Sequence, residues 1–583
     1  MAAPEPNPLS DSTLTTNPND DNTNFLLTSY THLRRAIHTV STTPDQPILP
    51  SHSAVSTCLA SLPTRSSPTY LQPHGATATH THLLTEILPA LNLQSLSPRY
   101  FGFVTGGVLP VAEAADNLVS AADQNVQVYF PVPDSQGDDD DGGGGGGAGA
   151  GNRTWTHSAS TAIEDAALRM LIDLLNLDPD PDPDPHPHPL HTTTTTTTTT
   201  TSKSKTRPSR WPARTFTTGA TASNILGLAC ARDALLLRRD PSASVSELGL
   251  IGACRVAGVR EIRILAAAPH SSIGKAASVV GLGRGCVRDV GLEEEPWRLD
   301  LDVVERELRM GVEDGVVHVI VVGAGEVNTG RFGTGVLDMP KLRSLGDKYG
   351  AWIHVDGAFG LFARVLPKTD EFLELHAGVA GLELADSIAA DGHKLLNVPY
   401  DAGIFLCRDA SIATQVFGNH NAAYLSSTPS TDHSDTVISP LNLGLENSRR
   451  FRALPVYAVL LSEGRSGIAA MLMRMVRLAR AVASFVRESK HYELLPADHE
   501  NESEGDGKIF IIVLFRARDP ALNDTVVDRI NASGKMFVSG TVWEGRKAAR
   551  IAVGSWRVDV ERDVKAIKAV LTEVAEGFAA EGK

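Results

Sequence analysis

Two short stretches carry the most specific chemistry in this 583-residue chain: His354-Val-Asp-Gly-Ala-Phe359 and Asp386-Ser-Ile-Ala-Ala-Asp-Gly-His-Lys394. Asp356 precedes Lys394 by 38 residues. The apolar run Ala351-Trp-Ile-His-Val355 predicts a buried strand that delivers Asp356 to its C-terminal end. A second apolar-flanked turn then presents His393 and Lys394. An amine and a carboxylate placed this way suit pyridoxal phosphate. The lysine holds the aldehyde as a Schiff base, and the carboxylate pairs with the ring nitrogen and keeps it protonated. A protonated ring is an electron sink, so bonds at a substrate α-carbon become breakable. Either element alone is ordinary. Together they point to a catalytic site.

A phosphate must also be held. Thr217-Thr-Gly-Ala-Thr-Ala-Ser-Asn224 suits that task, because Gly219 permits a tight turn, Thr221 offers a hydroxyl and a helix follows at once. Helix N-termini present free N–H groups and a positive dipole end to an anion. His393, beside the lysine, adds a further donor. His270, in Ala268-Pro-His-Ser-Ser-Ile273, follows a strand and so is expected at the same sheet edge. There it either stacks on the pyridine face opposite Ala358 or caps the helix that follows. Gly325-Glu-Val-Asn-Thr-Gly330 is expected at that edge too, with Asn328 or Thr329 within reach of the ring hydroxyl.

These residues need a scaffold. Helical patterns at 162–177, 222–237 and 341–349 alternate with apolar runs at 261–267, 316–322, 351–356 and 403–407. Continuous apolar strands alternating with helices indicate an α/β domain whose mostly parallel sheet is covered on both faces. Beyond it, a long helix from about 455 to Ala479, a strand at 508–514, an alternating stretch to Val553 and a helix at 560–578 predict a small α+β domain. Residues 1–24 are polar and rich in Asn, Thr and Pro, which predicts disorder. The chain thus divides into that terminus, an N-terminal helical segment at 25–110, a large domain at 111–440 and a C-terminal small domain at 441–583. Two low-complexity inserts interrupt the large domain, an acidic and polyglycine run at 134–152 and Asp-Pro, His-Pro and polythreonine repeats at 178–206. Both are expected to be solvent loops, and neither fixes a metal site, so no metal is assigned.

The net charge of −15 is inflated by these inserts, since Asp138 to Asp141 with Asp178, Asp180, Asp182 and Asp184 supply eight of the negative charges. The rest is mildly acidic, which argues against a nucleic-acid-binding surface. Cys58, Cys230, Cys254, Cys286 and Cys407 form no C-x-x-C pair and read as reduced thiols. No run approaches 18 apolar residues, and no Lys or Arg precedes Arg34, so neither a membrane span nor a basic leader is expected. The reading is a cytoplasmic protein with no membrane partner.

Five blocks in order resemble the group II pyridoxal-phosphate-dependent amino-acid decarboxylases, which include the aromatic-L-amino-acid and glutamate decarboxylases. They are Pro98-Arg-Tyr-Phe-Gly-Phe-Val-Thr-Gly-Gly107, Thr218 to Asn224, His270-Ser-Ser, the aspartate and lysine motifs running on to Tyr400, and Glu446-Asn-Ser-Arg-Arg-Phe-Arg-Ala-Leu-Pro455. The resemblance covers residues 80–565 apart from the inserts. It implies a fold-type I, PLP-dependent transferase-like large domain and a homodimer with active sites at the interface. It further implies Lys394 as Schiff base, Asp356 at the ring nitrogen, His270 stacked, and Ala220, Thr221 and His393 near the phosphate. The activity implied is decarboxylation of an L-amino acid through a quinonoid intermediate. Two departures stand out. Several members carry, on a loop after the lysine, a tyrosine that reprotonates the substrate carbon. The corresponding stretch here, Leu425 to Leu443, has none, although Tyr424 sits at its start and His433 within it. Relatives that lack that tyrosine can release an aldehyde, so an aldehyde synthase is the alternative, and a catalytically silent paralogue is a more distant one. Position 395 is leucine where many relatives have tryptophan.

Overall fold

The computed structural model describes residues 21–126 (less 43–46, 69, 92, 94 and 95), 131–132, 155–156, 158–179, 209–418, 437–497 and 505–581. Nearly all of both inserts and residues 425–436 lie outside them, as do Tyr424 and residues 1–20. The first described helix, Asp21–Thr42, begins inside the stretch expected to be disordered.

β1 (Tyr100–Phe101) is followed by a short antiparallel pair, β2 (Pro131–Val132) and β3 (Trp155–Thr156). The large sheet comprises β4 (Ala213–Thr217), β5 (Glu261–Ala266), β6 (Val287–Asp289), β7 (Val316–Gly323), β8 (Trp352–Asp356), β9 (Ser387–Asp391) and β10 (Gly403–Cys407). Its order is β4-β10-β9-β8-β7-β5-β6, and β10 alone runs against its neighbours. Every residue of β7 but the last is buried, because helices cover both faces and leave no polar side to alternate with. One apolar core fills each face of the sheet. The mostly parallel α/β sheet is therefore as expected.

Helix Ala220–Arg239 is apolar and long enough, by composition, to cross a bilayer, yet 72% of that window is buried and it packs across β8, β9 and β10. It is a core helix, two residues longer at each end than its sequence pattern indicates.

The small sheet has the order β1-β13-β14-β12-β11, with β11 (Tyr492–Leu495), β12 (Ile512–Ala517), β13 (Phe537–Trp543) and β14 (Arg546–Ala552). Three differences from the sequence reading have physical causes. The strand expected at 508–514 starts at Ile512, since the ladder begins only where Ile512 meets Ala552, and residues 505–508 form a 3-10 turn. The long helix runs from Ala453 to Glu488, past Ala479, with a break at Gly464. β1 comes from the N-terminal block but pairs in parallel with β13, Tyr100 facing Phe537 and Phe101 facing Val538. The core likewise continues from the large sheet into the small one without a seam. That pairing brings the N-terminal block to the catalytic edge.

Candidate active site

Parallel strands deliver the ends of β5, β7, β8 and β9 to one edge, which is where open α/β sheets bind ligands. Gly323 pairs with Asp356, and Asp356 with Ala389, so these strand ends lie level. β4 reaches the same edge across β10, where Gly403 faces both Asp391 and Thr217. The result is a cavity of about 480 Å³ whose lining includes Ala220, Thr221, His270, Asp356, Ala358, His393 and Lys394.

Asp356 is held by a relay that begins far from it. Trp352 Nε1 donates to Ser387 Oγ at 2.9 Å, and Ser387 Oγ lies 2.8 Å from His354 Nδ1. His354 Nε2 then sits 2.9 Å from Asn224 Oδ1, an atom that can only accept, so Nε2 carries the proton. Asn224 Nδ2 in turn donates to Asp356 Oδ2 at 3.0 Å. His354 is fully buried, and burial pushes its pKa down to about 3, so the relay is neutral. The same amide nitrogen reaches Ser272 Oγ at 3.2 Å, and Ser272 Oγ lies 2.8 Å from His270 Nδ1. One asparagine therefore positions the carboxylate and, through Ser272, the histidine.

Of its two expected roles, His270 shows the capping one. Its Nδ1 accepts the Ser272 N–H and caps helix Ser271–Val279, while its ring lines the cavity.

At the other end of the cavity, helix Ala220–Arg239 starts directly after Gly219 and points its first turn inward. Ala220 N–H donates to Asp391 Oδ1 at 2.6 Å, which ties this turn to the lysine motif. The approach needs Gly403, because a Cβ there would overlap Thr217 Oγ1 and the Gly219 backbone. His393 is buried, and burial lowers its pKa. Its Nδ1 accepts the Ala402 N–H at 3.2 Å, leaving Nε2 as the donor of a neutral ring.

Lys394 lies on the single-turn helix Gly392–Leu395 directly after β9, its Nζ 2.9 Å from Asp391 Oδ2. Gly106, from the N-terminal block, passes so close that a Cβ would overlap the Lys394 carbonyl.

The geometry suits pyridoxal phosphate on one observation above all. Asp356 accepts hydrogen bonds only from Asn224 and, at 3.4 Å, from Ala358 N–H, and no cationic side chain pairs with it among the described residues. A carboxylate left without a counter-charge at a cavity wall matches a protonated ring nitrogen. Lys394 can hold the aldehyde, and the first turn of helix Ala220–Arg239 with His393 can hold the phosphate.

The structure does not bring Asn328 or Thr329 into the cavity. Both are turned onto Glu326, Asn328 through its N–H and Nδ2 at 2.9 Å and Thr329 through its N–H and Oγ1 at 2.7 and 2.8 Å. Asn328 Oδ1 also accepts from Thr541. Gly325, Glu326 and Val327 line the cavity from that loop instead. The two phenylalanines of the N-terminal block divide, Phe101 being core and Phe103 a lining residue.

Sequence reasoning passed over Asn224, Asp391, Tyr400 and Arg550. Arg550 left a readable signal, a charge inside the apolar strand Ala548-Ala-Arg-Ile-Ala552. It is 4% exposed, donates Nε to Val327 O and Nη1 to Phe103 O, and lines the cavity with Nη2 free of protein partners among the described residues. Burial lowers its pKa to about 10, against the pull of Glu326, so it stays charged at neutral pH.

The model of the pyridoxal-dependent decarboxylase conserved domain matches residues 215–503, which hold most of this edge and leave out Arg550 and the N-terminal block with Phe103 and Gly106. L-2,4-diaminobutyrate decarboxylase of Acinetobacter baumannii is 27% identical over 62% of this chain and 68% of its own length. A tryptophan decarboxylase of Camptotheca acuminata is 24% identical over 53% of this chain, and the match spans 59% of that relative. In fold, the Oryza sativa enzyme described as TDC with PLP and tryptamine superposes with a TM-score of 0.70 at 21% identity, over 97% of this chain and all of that one. The chain belongs to the group II pyridoxal-phosphate-dependent decarboxylase family.

Proposed function

We propose that the protein removes the α-carboxyl group of an L-amino acid as carbon dioxide, with pyridoxal phosphate as cofactor and the amine as product. The unpaired Asp356 carboxylate facing the same cavity as Lys394 carries this reading. Pyridoxal phosphate, when bound, supplies a sink for the electron pair left on the substrate's α-carbon. Lys394 holds its aldehyde, Asp356 its ring nitrogen, and Ala220, Thr221 and His393 its phosphate. His270 and Ala358, which line the same cavity, would pack against its ring. Arg550 offers Nη2 to a substrate carboxylate, which fixes how the substrate lies. Orienting the breaking bond against the ring contributes about 7–11 kcal/mol in well-positioned systems.

Support for a homodimer comes from the N-terminal segment, which leaves Leu26, Leu27, Leu59 and Leu71 from 55% to 86% exposed in the single chain. Five cysteines present as free thiols fit a cytoplasmic setting. Sedimentation at two protein concentrations and fractionation of the native cell test these two assignments.

The second reading, an aldehyde synthase, is favoured by the absence of tyrosine from residues 425–443. One experiment decides between them: a panel of L-amino acids is incubated with protein and cofactor, and carbon dioxide, amine, aldehyde and hydrogen peroxide are measured. Amine with carbon dioxide supports the first reading and aldehyde with peroxide the second. No carbon dioxide from any amino acid refutes both.

A further inference from the structure

Tyr400 lines the same cavity as Lys394, on the chain segment that returns from the lysine turn to β10. Its ring packs on His393, with centroids 4.4 Å apart and planes tilted by 34°. Its hydroxyl lies near the buried side chain of Thr105, in the N-terminal block that also supplies Phe103. At 62% exposure the side chain can exchange its proton with water.

Decarboxylation leaves an electron pair on the α-carbon, and the reaction closes only when that carbon receives a proton. The donor must line the cavity and hold a proton at neutral pH. Arg550 does not give its proton up. His393 keeps Nδ1 on the Ala402 N–H, with Nε2 3.7 Å from Asp391 at the phosphate end. His270, with Nδ1 held by the Ser272 N–H, is the residue assigned above to a face of the ring. Tyr400 is the only tyrosine lining the cavity among the described residues. Desolvation by its surroundings raises the phenol above its ordinary value, and the Asp391 carboxylate adds to this against the Thr105 hydroxyl, so the proton is retained.

We propose that Tyr400 is a further catalytic residue of the decarboxylation inferred above, and that its phenol protonates the substrate's α-carbon after carbon dioxide has left. The bond between the α-carbon and the carboxylate breaks and its pair stays with the substrate. The phenol O–H then breaks and a C–H bond forms with that pair. Thr105 stabilises the phenolate by hydrogen bonding until water returns a proton. The sum is amino acid plus one proton giving amine plus carbon dioxide.

The inference depends on the decarboxylase reading, and the test separates the two. Tyr400→Phe keeps the ring on His393 and removes only the hydroxyl. Wild-type protein in deuterium oxide should give amine with one deuterium on the α-carbon as a single enantiomer. In the variant, amine formation should fall about 100-fold, a typical share for a positioned acid. The residual amine should carry deuterium of mixed configuration, and dioxygen should divert part of the turnover to aldehyde, ammonia and hydrogen peroxide. Cofactor affinity, read by equilibrium dialysis without substrate, should be unchanged. Full-rate, single-enantiomer product from the variant overturns the assignment and leaves the decarboxylase reading standing. Wild-type protein that releases no carbon dioxide removes both.

Discussion

The amide of Asn224 donates to Asp356 Oδ2 at 3.0 Å, across 132 residues of sequence, while its carbonyl oxygen accepts a hydrogen bond from His354 Nε2. Because the far end of the relay is buried and neutral, no cation in it competes with a ligand for the carboxylate. A hydrogen bond to a charged group is worth about 1.5–3 kcal/mol. Asn224→Ala should therefore slow turnover by one to two decades, at about 1.4 kcal/mol per decade. Cofactor should still bind through Lys394. Steady-state rates at saturating cofactor check this, and an unimpaired kcat would remove Asn224 from the positioning role.

For Asp356 itself the expected loss is larger. Opposite charges about 4 Å apart at an effective dielectric near 20 interact by roughly 4 kcal/mol. Asp356→Ala should cost up to about three decades in kcat while leaving the cofactor attached. Lys394→Ala should abolish turnover outright, and borohydride should then trap no covalent cofactor. If the link persists in that variant, another lysine holds the aldehyde.

Arg550 makes a prediction of a different kind. Arg550→Met keeps the bulk of the side chain but removes the cation that faces the cavity. Losing a charged hydrogen bond should raise KM by about 10- to 100-fold, from the same 1.5–3 kcal/mol. Cofactor affinity should not change. A KM like that of the wild type would mean that Arg550 serves only to tie Val327 to Phe103.

Gly403 tests the phosphate cradle. Gly403→Ala places a methyl group where Thr217 and Gly219 close against β10. Cofactor affinity should fall sharply, measured by dialysis and absorbance, whereas secondary structure by circular dichroism should be retained. Tight cofactor binding in this variant would place the phosphate elsewhere.

His318 gives a prediction about stability. It is 3% exposed on β7, its Nε2 has no partner among the described residues, and burial lowers its pKa to about 4. In the unfolded chain a histidine titrates near 6.5. Below that pH the unfolded state binds the proton and the folded state does not, so stability falls as pH falls, until the folded group titrates as well. Between pH 6.5 and 5 this amounts to about 2 kcal/mol, at roughly 1.4 kcal/mol per unit. His318→Leu should remove about that much of the acid sensitivity in urea unfolding at the two pH values. An unchanged pH dependence would assign the sensitivity to His354 and the other buried groups.

The sequence by itself determined whatever a short segment can specify. An apolar run of five residues with Asp356 at its end needs only burial and a parallel neighbour to point at the sheet edge. Thr218 to Asn224 starts a helix through its own turn, and Lys394 follows its strand within three residues, so these groups were legible as strand-end chemistry. The α/β alternation was legible for the same reason. What only the tertiary structure decided lies between distant segments. Nothing near Asn224 shows that its partners are His354 and Asp356. Asn328 and Thr329 have the right chemistry in the right loop, yet Glu326, two and three residues away, takes their donors first. Arg550 and Phe103 reach the cavity because β1 adds to the edge of the small sheet and brings the N-terminal block against the lysine turn. Strand order and long-range pairing are set by the packing of whole faces, and no local pattern encodes them.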